Sequence, residues 1–140
     1  MVYVDSAPGK APLDPDFDTV EKPPSWEELK EEENFDGLTE EQLATFRRRA
    51  VPEPGGVLRQ GIELTNDTRL DVPSTMICTG CSSAEYQDAV KEGYAWLSGL
   101  TEVRKVTWVD LPTSHWPMWS RPQELAVIIG DAAKAHAHGA

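Results

Sequence analysis

Apolar residues follow two patterns along the chain, short segments rich in apolar residues and stripes with the repeat of an amphipathic helix. The segments, at residues 2–4, 74–79 and 103–109, are typical of buried β-strands. From residue 72 onward, strands alternate with helices whose connections are long enough for parallel pairing. We therefore predict an α/β fold with about three parallel strands and flanking helices. The helical stripes comprise Leu43, Phe46 and Ala50; Tyr86, Ala89, Val90, Gly93 and Leu97; and Leu125, Ile128, Ile129 and Ala132.

Helix starts are marked by residues whose side chains cap the first turn. Ser25 with Glu28, Thr39 with Gln42, and Ser82 with Glu85 have the spacing of a capping box. A fourth capping sequence, at residues 120–123, precedes the last stripe. Residues 8–24 are rich in proline, which predicts an extended loop. We divide the chain into a first core strand (1–8), a lid or cap region with the proline-rich loop (9–70), a C-terminal core (71–135) and a flexible tail (136–140).

The composition excludes several classes of protein. The chain has 140 residues, of which 39% are hydrophobic and 26% charged, enough for one modest core. Its net charge of −11 argues against binding to nucleic acid. The longest apolar run, 125–129, is far shorter than the ~20 residues that span a bilayer. No secretory signal is visible and two cysteines form no disulfide framework, so we expect a soluble, cytoplasmic protein without membrane contact.

Three segments resemble the α/β-hydrolase family, in the family's order. Residues 2–8 (VYVDSAP) resemble the strand that precedes the lid, and residues 71–80 (DVPSTMICTG) the entry to the penultimate strand. Residues 111–122 (LPTSHWPMWSRP) resemble the loop after the last strand, which carries the catalytic histidine. The acidic helices between residues 25 and 50 lie where the family inserts its lid. The resemblance implies a partial α/β-hydrolase fold, equivalent to the C-terminal half of a serine-type hydrolase.

The resemblance also implies the site. His115 would be the general base of a serine nucleophile. Asp5 would be the acid that orients it, in the position used by the haloalkane dehalogenases, and Glu85 is the alternative unless it serves only its capping box. The family's nucleophile and oxyanion loop precede the strand that residues 2–4 resemble, so we expect them upstream of Met1. The 140-residue chain alone should therefore be inactive.

The implied substrate is a small apolar ester or amide, because several aromatic residues flank the lid and the histidine loop. Those expected to line the substrate pocket are Trp26, Phe35, Trp116 and Trp119, whereas Phe46 is better explained by packing. No metal or other cofactor is expected. Three strands leave an open sheet edge, so we expect a homo-oligomer or association with a missing N-terminal half.

Three alternatives stay open. Ser82, within Gly80-Cys-Ser-Ser-Ala84, has the small-x-Ser-x-small pattern of a nucleophile elbow. Cys78 and Cys81 form a C-x-x-C pair, which is either a thiol-redox site or two ordinary cysteines. The chain could also be a non-catalytic interaction module that keeps the scaffold of the hydrolase.

Overall fold

The computed structural model describes residues 1–21 and 25–137. Two single-turn 3₁₀ helices, at Asp67–Asp71 and Ala95–Leu97, interrupt the connections between the main elements. In chain order the strands and helices are β1 (Val2–Val4), β2 (Val20–Glu21), α1 (Trp26–Glu32), α2 (Glu40–Arg49), β3 (Glu53–Pro54), α3 (Gly56–Arg59), β4 (Ser74–Cys78), α4 (Ser83–Glu92), β5 (Val106–Asp110), α5 (Pro117–Ser120) and α6 (Pro122–Ala137).

The central sheet has three parallel strands in the order β1-β4-β5. Val2 is paired with Thr75, and Ser74 with Val106. All five residues of β4 are buried, because the strand has a neighbour on each side and helices above and below. The predicted α/β class with three parallel strands and flanking helices is confirmed.

Side chains alternate across β4 and so build two cores, one on each face of the sheet. Met76 points to one face, where it packs with Tyr86 of α4 and with Leu97 and Leu100. Ile77 points to the other face, where it packs with Leu125 of α6 and with Leu111. One helix therefore covers each face.

The last strand begins later than predicted, and helix α4 ends earlier. The last strand begins at Val106 rather than Val103, because the amides of residues 103 and 104 donate to carbonyls of Leu100 and Leu70 outside the sheet. Helix α4 ends at Glu92, where Gly93 adopts a left-handed conformation with φ of 80°. Leu97 is consequently not on this helix, although it is fully buried in the same core.

The C-terminal helix is longer than predicted. We expected residues 136–140 to form a flexible tail, but α6 continues through residue 136 to Ala137. The pattern of alternating Ala and polar residues there has high helix propensity, which the tail prediction underestimated. The remaining predicted tail residues, 138–140, lie outside the described residues.

The acidic segment between β1 and β4 contributes no strand to the central sheet. Ser25 and Thr39 form the two predicted capping boxes at the starts of α1 and α2. The segment is attached to the histidine loop by two hydrogen bonds. Gln42 Nε2 donates to the Trp119 carbonyl (3.2 Å), and Thr113 Oγ1 donates to the Asp36 carbonyl (3.3 Å).

Strand β1 is an edge strand whose three residues are half-buried. No described strand pairs with its outer edge, which leaves backbone N–H and C=O groups available to another strand. Within residues 1–21 and 25–137, no helix combines the length and apolar character needed to cross a bilayer.

The core on the α4 side predicts a large effect of truncating Leu97, which is 0% exposed. Leu97→Ala should lower the free energy of unfolding by ~2–5 kcal/mol, because the cavity left by the side chain cannot fully collapse. Val127→Ala on α6 is the control, since Val127 is 62% exposed and its truncation should change stability by less than ~0.5 kcal/mol. Urea denaturation measures both, and equal effects would contradict this packing.

Candidate active site

Loops that follow the strands of the parallel sheet meet at its carboxyl edge, where ligand sites of α/β folds are usually found. Asp5 follows β1, Thr79 and Gly80 follow β4, and His115 lies in the loop after β5. The Asp5 amide donates to the Ile77 carbonyl (2.8 Å), which extends the pairing of β1 with β4 by one bond. The topology therefore brings together residues that are more than a hundred positions apart in the chain.

Asp5 is buried, with 8% of its surface exposed, and has the positive φ of 42°. Among the described residues it is the only non-glycine with a positive φ. Its carboxylate accepts hydrogen bonds from the Thr79 amide (3.0 Å), the Gly80 amide (3.4 Å) and the Tyr86 hydroxyl (3.2 Å). Left-handed backbone at a non-glycine residue costs energy and is concentrated at functional sites.

His115 completes the pair. Its Nδ1 lies 2.6 Å from Asp5 Oδ2, while the imidazole side chain is 51% exposed. Trp116 contacts the imidazole edge-on, with ring centroids 5.5 Å apart. No described residue forms a hydrogen bond with Nε2. The carboxylate thus fixes one ring nitrogen and leaves the other facing the cleft, as a general base requires.

A buried serine holds the histidine loop in place. Ser114 is 0% exposed, and its hydroxyl accepts from the Trp116 amide (3.3 Å) and contacts Ser120 Oγ (3.3 Å). Thr113 Oγ1 lies 2.7 Å from the same Ser120 oxygen. The Leu111 amide continues the β4–β5 pairing by donating to the Cys78 carbonyl (2.8 Å). The loop is therefore anchored on both sides of His115.

The two groups shift each other's pKa in opposite directions. Burial alone would raise the pKa of the Asp5 carboxyl, but hydrogen bonds from His115 and Thr79 outweigh it and lower the pKa to about 2. The hydrogen bond to Asp5 raises the pKa of His115 above its ordinary value, although burial of the ring opposes it. At mildly acidic pH the Asp5 carboxylate is therefore ionised and the His115 imidazole is protonated.

The sign of each shift sets the pH range in which the pair stabilises the fold. Because the pKa of His115 is raised in the folded protein, the group contributes to the stability of the fold. This contribution is fully present below pH 6.5 and is lost as the pH rises through the raised pKa. Because the pKa of Asp5 is lowered to about 2, its contribution to stability is present above pH 3.8 and is lost as the pH falls toward about 2. Between pH 3.8 and pH 6.5, the ordinary pKa values of the two groups, both contributions to stability are complete.

The four aromatic residues predicted to bind substrate are mostly used elsewhere. Trp26, Phe35 and Trp116 form a stack with centroids 5.4 and 5.5 Å apart, and Arg47 lies 3.4 Å above the Trp26 ring. Trp119 lies on α5, with its carbonyl bonded to the acidic segment. None of these four side chains lines the cleft that contains Asp5 and His115. The stack instead attaches the acidic segment to the histidine loop.

The cleft beside the pair has a volume of about 360 Å³ and other aromatic walls. Tyr86 and Trp96 supply them. Tyr86 belongs to the predicted apolar stripe of its helix, whereas no motif in the sequence marks Trp96. The cleft is lined by Asp5, Ser6, Glu33, Asn34, Gly80, Cys81, Tyr86, Trp96 and His115.

The alternative nucleophile, Ser82, has the geometry of a helix cap. Its hydroxyl accepts from the Glu85 amide (3.3 Å) and lies 2.7 Å from a Glu85 carboxylate oxygen. Its φ of −73° is ordinary, without the strain of a nucleophile elbow. Glu85, the alternative acid, is occupied by this cap and forms no hydrogen bond with His115. Asp110 accepts from the amide (2.6 Å) and hydroxyl (2.9 Å) of Ser83.

The thiol pKa values of the two C-x-x-C cysteines are shifted in the direction opposite to that of a reactive thiol. Both are free; Cys78 is buried in β4 and Cys81 is exposed. Burial raises the pKa of Cys78 to about 12, and burial with the nearby Glu85 carboxylate raises that of Cys81. A redox cysteine needs a lowered pKa. In the described part of the chain, no three His, Cys, Asp or Glu side chains are grouped closely enough to hold a metal ion.

The pair predicts how His115 titrates when Asp5 is replaced. Asp5→Asn should lower the pKa of His115 toward its ordinary value, because the hydrogen bond to the carboxylate is what raises it. Asparagine tolerates left-handed backbone, so the loop should keep its shape. NMR titration of the His115 Cε1 proton measures the change. Asp131→Asn is the matched control, since Asp131 is exposed and bonded to Lys134. An unchanged His115 pKa in Asp5→Asn would contradict the pair.

No protein-family model, curated protein or solved structure matches the chain.

Proposed function

We propose that the chain is the C-terminal portion of an α/β-hydrolase-like serine hydrolase, which cleaves an ester or amide with an apolar portion. The observation that supports this most is the 2.6 Å contact between His115 Nδ1 and the buried Asp5 carboxylate at the carboxyl edge of a parallel sheet. This arrangement gives a histidine one oriented nitrogen and one open to a cleft. Tyr86 and Trp96 offer the substrate an apolar wall.

In this proposal His115 transfers one proton in each half of the reaction. Nε2 accepts the proton of a serine hydroxyl as the serine oxygen bonds to the substrate carbonyl carbon. The resulting imidazolium is stabilised by Asp5, which stays ionised. Nε2 then gives the proton to the leaving alcohol or amine as the original ester or amide bond breaks. Water repeats the sequence to release the acid and restore the serine.

The nucleophile must come from a strand that the described residues do not contain. No serine hydroxyl among them forms a hydrogen bond with His115. By the order that the resemblance implies, the nucleophile strand pairs with the outer edge of β1, which no described strand occupies. We propose that a further segment or a separate chain adds this strand, bringing the serine and the oxyanion donors to the cleft.

A non-catalytic interaction module is the second candidate. The same open edge of β1 favours it, since an unpaired edge strand can bind a partner by strand addition whether or not the partner carries a serine. A thiol-redox function is not proposed, because the pKa values of both cysteines are raised. A fluorophosphonate probe separates the two candidates, since it labels only an activated serine.

The proposal predicts activity only in the assembled protein. The 140-residue chain alone should not hydrolyse p-nitrophenyl acetate above background. The protein isolated from its natural source with its bound partners should be labelled by the probe and should hydrolyse esters. In that form His115→Ala should lower kcat by ~10³-fold or more, because the members of a triad act as a unit. Asp5→Asn should lower it less, and Asp131→Asn should not change it.

Two results would count against this function. Turnover by the isolated chain that disappears in Ser82→Ala would make Ser82 the nucleophile. An assembly that binds its partner through β1 but is not labelled by the probe would favour the interaction module.

A further inference from the structure

A second cavity, of about 340 Å³, adjoins the cleft of the Asp5–His115 pair. Cys81, Tyr86 and Trp96 line both cavities. The two cavities are therefore neighbours that share part of their walls, and we call them together the trough.

Aromatic rings are held in place at the centre of the trough. Tyr86 and Trp96 meet edge-to-face with centroids 5.4 Å apart. Trp96 is 39% exposed and Tyr94 is 51% exposed, although both flank the chain segment anchored by the fully buried Leu97. The Leu97 amide donates to the Tyr94 carbonyl (3.0 Å). Trp96 and Tyr94 are thus aromatic side chains that line the second cavity and are partly open to solvent, and aromatic faces are what proteins use to recognise alkylammonium groups.

In the part of the chain that the structure describes, five carboxylates line the trough, and His115 is the one lining side chain that can carry a positive charge. Glu85, Asp88 and Glu92 on α4 line the second cavity, while Asp5 and Glu33 line the first. No lysine or arginine lines either one. Some of this charge is neutralised locally, because Glu85 caps α4 and Asp88 is bonded to Lys91 (2.7 Å).

Two of these carboxylates, Glu33 in the first cavity and Glu92 in the second, form no ion pair among the described residues. Glu33 lies close enough to His115 to raise the pKa of the imidazole, whereas Glu92 has no such neighbour in its cavity. A cationic group in the second cavity would be attracted by Glu92, whereas an anion there would be repelled.

We propose that the trough binds an organic cation, an alkylammonium group packed on Trp96 and Tyr94 and facing Glu92. As a subsite for substrate this inference rests on the proposed function, and it then narrows the substrate to an ester or amide that carries an ammonium group. The aromatic rings supply contact area and cation–π attraction, and the carboxylates supply charge complementarity. A neutral ligand of the same shape would lack the electrostatic attraction, and an anionic ligand would be repelled by the carboxylates.

Binding is tested with two probes that differ only in charge. Choline carries a trimethylammonium group, and 3,3-dimethyl-1-butanol has the same shape without the charge. Titrated into the 140-residue chain and followed by the NMR signal of the Trp96 indole N–H, choline should bind at least ~10-fold more tightly than the neutral alcohol. Equal affinities, or no perturbation of Trp96 by choline, would overturn the inference.

Variants separate the aromatic and the electrostatic contributions. Trp96→Leu keeps an apolar side chain but removes the π surface, and should weaken choline binding ~10-fold; Tyr94→Leu, at a more exposed position, is the second aromatic variant in case the first disturbs folding. Glu92→Gln should weaken binding several-fold. Glu63→Gln is the matched control, because Glu63 is exposed and lines neither cavity. An equal loss in Glu63→Gln and Glu92→Gln would show only the general field of an acidic chain, and would overturn the site.

The binding assay does not depend on hydrolysis, so the two proposals can fail separately. His115→Ala should abolish turnover of the assembled protein but leave the preference for choline over its neutral isostere. Choline binding without probe labelling would keep the cation site and reject the hydrolase. Labelling without a preference for the cation would keep the hydrolase and reject the cation site.

Discussion

One carboxylate joins the parts of the molecule that matter for its chemistry. Asp5 ends β1, accepts hydrogen bonds from the loop after β4 and from Tyr86 of α4, and pairs with His115 in the loop after β5. A buried charge is costly unless its lone pairs are satisfied, and here they all have partners. The residue that would orient the catalytic base is therefore the same residue that fixes the loops at the carboxyl edge of the sheet.

The backbone of Asp5 shows what this arrangement costs. Its left-handed conformation carries a strain of ~1–3 kcal/mol for a non-glycine residue, which must be offset by the contacts that hold it. Those contacts come from three different elements and converge on one side chain. A residue needed only to end a strand could be glycine at lower cost. The strain is understandable if the carboxylate has to face His115.

Local patterns predicted the three strands of the central sheet and the helices that flank it, because these elements have short-range signals, whereas β2, β3 and α3 were not predicted. The apolar run at β4 and the capping boxes at Ser25, Thr39 and Ser82 were all found. Positions set by tertiary contacts were harder to predict. Trp96 lies in the short 3₁₀ helix Ala95–Leu97, where no periodicity shows which way a side chain faces. The stacking of Trp26 on Phe35 likewise depends on where the acidic segment docks, so the sequence could not predict that these rings contact each other.

The pairing of Asp5 with His115 was suggested by resemblance alone, since spacing cannot relate residues 110 positions apart. Its electrostatic setting follows from the structure. Glu33 lies close enough to His115 to raise the pKa of the imidazole further, which stabilises the protonated ring. A cation bound in the trough as we propose would oppose that effect, because it would repel the protonated ring. Its binding and the protonation of His115 would then compete, and by thermodynamic reciprocity each would weaken the other. An ammonium-bearing substrate would thus shift His115 toward the neutral form that a general base needs.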